Sequence, residues 1–559
     1  MSSDFQNQLI DIDELMINGK YIDAMNSIEK ILNGVFVKKE DEILVISYKI
    51  KIMNSLGEYQ EAINLINKTL EFLKKKISLV KLELLLQKGL ALAYQRKKEE
   101  ITELINNIET DLKKLQEISI EDENRIKASI YRLRLFITSS RVEPKKYLKY
   151  AKNCHKFALK SKDILLINFG LIHLAHAHHR LNEKDKSLEL MNEAYQHASS
   201  INYIQGQEDS LWGLSYFESD REKSLDYAEK AIAFHEKIDS KRSSYGTYVY
   251  MGCKYVQNCY FEKALVSLNK AEKLLKEDDE QKYSIYFVYA RVFTLKGEFN
   301  LAYENILKAQ KIAKESNQLM YAQSFFDLLL LALDLQKLEL AEKHQKELDN
   351  LSKELDDEEI QQLSKLAKAL VLKANKGIRD WSQSITILEE LLENEALSSS
   401  IVIDATLNLC ELLIREIELT GEIDLLESIQ IHLTKLQEIA ESQKIYWLII
   451  EILRLKAQLS LIIYDINKAR ELLNAALRIS QNKGIEKLTV EIINEQIEIE
   501  EKITIWEKLQ EIDAPLIESL KHVHLLNNIV EINQKTATVK SCSGNRNTIE
   551  YRKLFAIKI

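Results

Sequence analysis

Two six-residue strings near the start of this 559-residue chain read almost alike: GKYIDA from Gly19 to Ala24, and GEYQEA from Gly57 to Ala62. A third, GEFNLA from Gly297 to Ala302, repeats the chemistry far downstream. Each string has a glycine, an aromatic residue two positions on, and an alanine three further. Glycine accepts the left-handed backbone that closes one helix, and alanine lets the next helix pack back closely on the first. A corner of this kind, recurring along a chain, builds one helical hairpin after another. Such hairpins bury their apolar faces by stacking on their neighbours.

We anchor each unit on the small residue after the corner. A second small or apolar residue is then expected seven positions later, two helical turns along the same face. Ala62/Thr69, Ala264/Ala271, Ala302/Ala309 and Ala469/Ala476 fit directly. Ile101/Ile108, Ser384/Leu391 and Leu426/Leu433 are the register chosen for the third, tenth and eleventh units. The count is about twelve hairpins over residues 1–484. Ala264 and Ala302 are expected to be buried at helix crossings.

The fullest match runs through Tyr248, Met251, Gly252, Tyr255, Ala264, Leu268 and Ala271. Tyr286, Tyr289, Ala290, Phe293, Ala302, Ile306 and Ala309 repeat it. These positions resemble the Trp, Leu, Gly, Tyr, Ala, Phe and Ala pattern of the tetratricopeptide repeat (TPR). The resemblance covers roughly residues 5–484. It implies an all-α fold, a right-handed superhelical solenoid of antiparallel helix pairs, followed by a short non-repeat C-terminal tail. Two features depart from the family. The units lie mostly about 36 to 43 residues apart rather than about 34, and the closing proline is missing. HEAT and armadillo repeats share the longer period but lack the glycine–aromatic–alanine corner.

Composition agrees with helices throughout. The chain has 2 prolines and 14 glycines, too few for ordinary loops between many strands. A break or bend is expected over 108–150, where the polar run IETDLKKLQEISIEDENRIKAS precedes Pro144. Residues 485–512 read as a capping helix with Ile493, Ile497, Trp506 and Leu509 on its apolar side and glutamates on the other. Residues 513–559 read as a short helix and a basic tail, with a small β-hairpin around Ser543-Gly544-Asn545 as one form.

Function classes narrow in the same way. The net charge is −9, which disfavours a phosphate backbone as main partner. Five scattered cysteines without a CxxC suggest thiols in a reducing compartment rather than a zinc or redox site. The start, MSSDFQNQLIDIDELM, lacks a secretory apolar region, and charges interrupt every long apolar stretch. A cytoplasmic protein without membrane spans is expected. No phosphate-binding loop, dinucleotide fingerprint, metalloprotease helix or nucleophile elbow appears, so no enzyme, cofactor or metal is expected. His173, His176 and His179 share a helix face, but no third-element ligand joins them. They are read as a histidine-lined surface, with a pH-responsive contact as the alternative. His178 falls at an interior packing position.

The resemblance places the first helix of each repeat on the concave face. It thereby implies a partner groove lined by His176, His179, Arg180, Tyr216, Phe217, Cys253, Val256, Gln257, Phe287, Arg291 and Thr294. Aromatic and arginine side chains are the types enriched at binding hot spots. The Lys and Asn clamp with which some family members hold a C-terminal carboxylate is not recognisable. The expected function is a non-enzymatic protein–protein interaction scaffold that holds an extended peptide or partner helix. A peptide-responsive regulatory sensor is the alternative, though no helix-turn-helix precedes the first repeat.

Overall fold

The computed structural model describes residues 3–511 except 35–38, 74–76, 116, 141, 240–243, 277–278, 356, 376, 395–397, 421–423 and 464. The readings of 513–559 as helix, basic tail and hairpin lie outside the described residues. Among those described there are 25 helices and no strand. The chain divides at Thr247/Tyr248 into two compact units.

The first unit holds α1 (Ser3–Ile17), α2 (Tyr21–Leu32), α3 (Lys39–Leu56), α4 (Tyr59–Leu73), α5 (Leu79–Tyr94), α6 (Lys98–Lys114), α7 (Ile120–Ile137), α8 (Pro144–Ser161), α9 (Ile164–Arg180), α10 (Lys184–Ser200), α11 (Ile204–Phe217) and α12 (Arg221–His235). The second begins within α13 (Ser244–Gln257). It continues through α14 (Phe261–Lys273), α15 (Lys282–Leu295), α16 (Phe299–Ser316), α17 (Gln318–Asp334), α18 (Leu338–Glu354), α19 (Glu358–Ala374), α20 (Ile378–Leu392), α21 (Ser399–Thr420), α22 (Leu425–Gln443), α23 (Tyr446–Ile462), α24 (Ile466–Lys483) and α25 (Glu486–Glu511).

The hairpins are TPR-like, and their corners show why. The residue five before the anchor has positive φ at Gly19, Gly57, Arg96, Asn182, Cys259, Gly297 and Gln336. At each, an amide reaches back five residues: Lys20 N to Leu15 O at 2.9 Å, Lys97 N to Leu92 O at 3.1 Å, Glu298 N to Phe293 O at 2.8 Å. This bond satisfies a carbonyl that the ending helix leaves open. Glycine marks the corner in sequence at only three of these sites; Arg96, Asn182, Cys259 and Gln336 adopt the same geometry with a side chain.

Behind the corner the anchors are buried. Ala24, Ala62, Ile101, Ala264, Ala302 and Ala341 are all in the core. The register of the third unit is therefore correct, and so is that of the tenth, where Ser384 is buried and donates to Ala369 O at 2.7 Å. The eleventh is shifted by three residues. Leu426 is half-buried, while Ile429 and Leu436 occupy the packed face. Without a corner glycine, a run of Leu and Ile leaves the helix rotation ambiguous to a sequence reading.

Within each unit, successive helices pack on one another. The odd-numbered helices also pack on one another: α3 on α5, α5 on α7, α7 on α9 and α9 on α11 in the first unit. In the second unit α17, α19, α21 and α23 do the same. They form the inner layer. Residues 108–150 lie inside the first unit, where α6, α7 and α8 pack in succession.

Each unit also meets itself end to end. In the first, Tyr21 donates from its hydroxyl to Gln205 Oε1 at 2.9 Å, and Asp239 N donates to Gly19 O at 3.0 Å. Ile238 packs into the apolar cluster of the first hairpin. In the second, α25 packs on α15 and α23. Lys487 Nζ lies 2.7 Å from Asp334 Oδ2, and Arg454 binds Glu451, Glu491 and Glu495 at 2.6 to 3.0 Å.

That arginine corrects the reading of the last helix. Leu488, Ile492 and Ile499 are buried, whereas Ile493 and Ile497 are exposed. The half-buried guanidinium of Arg454 needs carboxylates, and Glu491 and Glu495 are rotated inward to supply them. The side chains of Trp506 and Leu509 lie outside those described.

Two substitutions test this packing. Ala302→Leu should overpack its hairpin and cost about 1–3 kcal/mol in urea unfolding. Gly57→Ala should cost about 1–2 kcal/mol for the left-handed backbone alone, since a Cβ there meets nothing within 4 Å. Gly19→Ala should cost more, because its methyl would stand 3.0 Å from Ile238 Cγ1. Equal losses for the two glycines would mean that the ends of the first unit do not hold together.

Candidate functional site

The inner layer of the first unit carries a ladder of rings. Tyr59 stacks on Tyr94 with centroids 4.9 Å apart, and Tyr94 meets Phe136 edge-on at 5.7 Å. Phe136 lies 6.0 Å from Phe169, which lies 4.0 Å from His173. His173 is 6.2 Å from His176, and His176 is 5.1 Å from Phe217. His179 stacks on Phe217 at 4.5 Å and meets Tyr216 at 5.4 Å. The ladder crosses α5, α7, α9 and α11. Tyr94, Phe136, Phe169, His176 and His179 are half-buried, each offering part of a ring to solvent.

Local sequence explains the placement. Asp163 caps α9 by accepting from the Leu165 and Leu166 amides at 3.1 and 3.0 Å, which fixes where that helix starts. The three-residue spacing then keeps His173, His176 and His179 on one side. His178 is largely buried, as its register requires, and its Nδ1 lies 2.5 Å from Glu183 Oε2. His173 Nδ1 pairs with the Tyr147 hydroxyl.

Electrostatics set the ring charges. Burial drives His173 well below its ordinary range, helped by His176 and Arg132. Burial, then His179 and Arg180, lowers His176 to about 4. His179 is lowered too, by burial, Arg180 and Lys184. The histidine face is thus uncharged at neutral pH and does not switch there. Among the described residues no group of three or more His, Cys, Asp or Glu could hold a metal ion.

Two charged groups stand among these rings. Arg132 lies on α7 with its guanidinium 4.7 Å from the Phe169 centroid. Its Nε is buried without a hydrogen-bond partner. Asp209 on α11 opens to solvent between the helices, yet burial and the neighbouring Glu208 raise its carboxyl to about 8, against the opposing pull of Arg132. Glu208 itself is buried, accepting from Trp212 Nε1 at 3.1 Å and lying 2.7 Å from His235 Nδ1.

The residues expected to line one groove fall into two sets. His176, His179, Arg180, Tyr216 and Phe217 belong to the first unit; Val256, Gln257, Phe287, Arg291 and Thr294 belong to the second. Tyr216 and Arg180 are exposed, but Phe217 is 3% exposed and works as the floor beneath His176 and His179. Val256 and Phe287 are buried in helix packing and present no side chain to a partner, because the inward positions of α13 and α15 are turned into the hairpin core. Gln257, Thr294 and Cys253 are half-buried, and Arg291 is exposed. Arg291 raises no ring platform; it acts electrostatically on Asp327 and Asp404, both lifted to about 6 by burial.

Tyr94, Phe136, Phe169, Arg132 and Asp209 were missed. Tyr94 and Phe136 at the C-terminal ends of α5 and α7 were the available signal. It was hidden because Arg96, not glycine, forms the third corner.

No helix among the described residues is long and apolar enough to cross a membrane. No family model matches the chain, and no curated protein does. Solved structures do resemble it. A Rap protein complexed with competence and sporulation factor is 13% identical, covering 63% of this chain and 99% of its own, with a TM-score of 0.42. The apo quorum sensor NprR from B. thuringiensis is 14% identical over 74% of this chain and 99% of its own, TM-score 0.40. Yeast Tom70 is 16% identical over 83% and 99%, TM-score 0.38. At such values the likeness bears on neither partner nor activity.

Replacing Asp209 tests the electrostatics. Its ordinary carboxyl pKa is about 4 when unfolded. A folded value near 8 means the folded state keeps a proton that the unfolded chain loses. The stability this contributes is complete below about pH 4 and is lost as pH rises through 8. Asp209→Asn should therefore melt increasingly above the parent from pH 5 to pH 9. A melting difference independent of pH would show an ordinary carboxylate.

Proposed function

We propose that the chain is a non-enzymatic, cytoplasmic interaction scaffold whose first unit binds an extended peptide or a partner helix along its ring ladder. The observation that carries this reading is the run of rings open or half-open to solvent from Tyr94 to Tyr216, floored by Phe217, across four successive inner helices. Rings half open to solvent and rigidly backed offer contact area at little entropy cost. A stacked inner layer presents them as one surface, which suits an extended chain.

A second reading, a peptide-responsive sensor, is favoured by the end-to-end closure of the first unit. Among the described residues, the Tyr21–Gln205 and Asp239–Gly19 bonds and Ile238 join its ends, so a ligand that spreads the inner layer would strain them. Faster hydrogen exchange of the Asp239 amide on ligand binding would support the sensor, and unchanged exchange would leave the scaffold.

Selection of a phage-displayed random peptide library on the full chain tests the main reading. Peptides should be enriched by the parent. The variant Tyr94→Ala/His179→Ala/Tyr216→Ala should lose them with helicity unchanged, since one hot-spot truncation costs about 2 kcal/mol or more. Equal enrichment by both proteins would move the site off the ladder.

A further inference from the structure

In the middle of its ring ladder the first unit places a guanidinium that makes no direct ion pair with a described carboxylate, Asp209 and Asp163 acting on it only at longer range. No described carboxylate pairs with Arg132, and its Nε is buried and unsatisfied. The neighbouring arginines of α7 differ: Arg125 pairs with Glu83 and Asp122, and Arg134 pairs with Glu109. Arg132 is held instead by the face of Phe169 at 4.7 Å. An arginine stacked on a ring keeps its planar fork oriented and loses little freedom when it binds. An unsatisfied buried donor is costly, and it is relieved when a ligand supplies the acceptor.

We infer that Arg132 is the seat for a single carboxylate carried by the bound peptide, with apolar or aromatic residues of that peptide on the rings to either side. The inference rests on the ladder being the binding surface. Phe136 and Tyr94 flank the seat on one side, and His176, His179 and Tyr216 flank it on the other. Charge complementarity selects a carboxylate over a phosphate. One guanidinium matches one negative charge in a two-bond fork. The adjacent His173 and His176 are held neutral by burial and cannot match a second. The carboxylate could come from an Asp or Glu side chain or from the peptide's C-terminus, and the seat reads the same chemistry in both.

Affinity selection on the full chain separates these cases. The probes are degenerate octapeptide mixtures with a fixed central Phe-Asp-Phe or Phe-Asn-Phe, each made with a free or an amidated C-terminus, and fluorescein-labelled oligouridine. The parent should retain acid-bearing peptides about tenfold over the matched neutral ones, as expected for one charge-assisted pair worth about 1.4 kcal/mol. The central pair reports a side-chain carboxylate, and the terminal pair reports the C-terminus. Arg132→Gln should bring the ratio to about one while apolar peptides are still retained. Arg132→Lys, which keeps the charge should the first variant fold poorly, should give an intermediate ratio. Arg125→Gln, on the same helix but already paired with Glu83 and Asp122, should leave the preference intact.

Acid and neutral peptides retained equally by the parent would overturn the seat and leave the groove standing. So would a preference that survives both Arg132 variants. No retention of any peptide would overturn both. Oligouridine retained in preference to peptides, and lost in Arg132→Gln, would overturn the seat in favour of a nucleic-acid strand stacked on the same rings.

Discussion

A single backbone hydrogen bond, from an amide to the carbonyl five residues earlier, organises this molecule. It forms at Lys20, Glu58, Lys97, Glu183, Tyr260, Glu298 and Lys337. It can form only when the intervening residue is left-handed. Once made, it stops one helix and aims the next back along it. The buried anchor five residues on then decides how closely the two helices approach. The order in which helices enter the inner layer follows from repeating that step.

The two units spend their inner layers differently. The first is faced with rings around Arg132, which stacks on Phe169 opposite Asp209 on α11, while Arg125 pairs with Glu83 between α7 and α5. The second is tied by ion pairs. Arg454 gathers Glu451, Glu491 and Glu495, and Lys373 pairs with Glu411. Breaking such a pair leaves a charge poorly solvated, so the Arg454 contacts fix the position of α25, and the Lys373–Glu411 pair that of α19 against α21, more than they add stability. A surface occupied by its own ion pairs has less to offer a ligand than one holding rings and an unmatched guanidinium.

Both the scaffold and the sensor readings draw on the same geometry. They differ in whether the ends of the first unit, at Gly19 and Ile238, stay joined when the inner layer is filled. The contacts there include Tyr21 on Gln205 and Ile238 on the first hairpin, and the hairpins between them are continuous. Any coupling between ligand and closure would pass through neighbouring hairpins, because each packs mainly on the next.

How much could be read without coordinates followed from the range over which each signal acts. Corners and anchors are local. Glycine at 19, 57 and 297 and alanine at 62, 264 and 302 announced the hairpins, because backbone sterics and helix periodicity need no knowledge of the rest of the chain. The tetratricopeptide-like, all-helical architecture was therefore plain in the sequence. What the sequence could not supply was rotation. Whether Ile429 or Leu426, or Ile492 or Ile493, faces inward depends on what the neighbouring helix presents. In α25 that was Arg454, distant along the chain. The same ignorance placed Phe217, Val256 and Phe287 at a surface when they are packed, and overlooked Tyr94, Phe136, Phe169 and Arg132. Helix formation is decided over a few residues; the face that a helix buries is decided by partners tens of residues away, and only the tertiary structure brings those partners together.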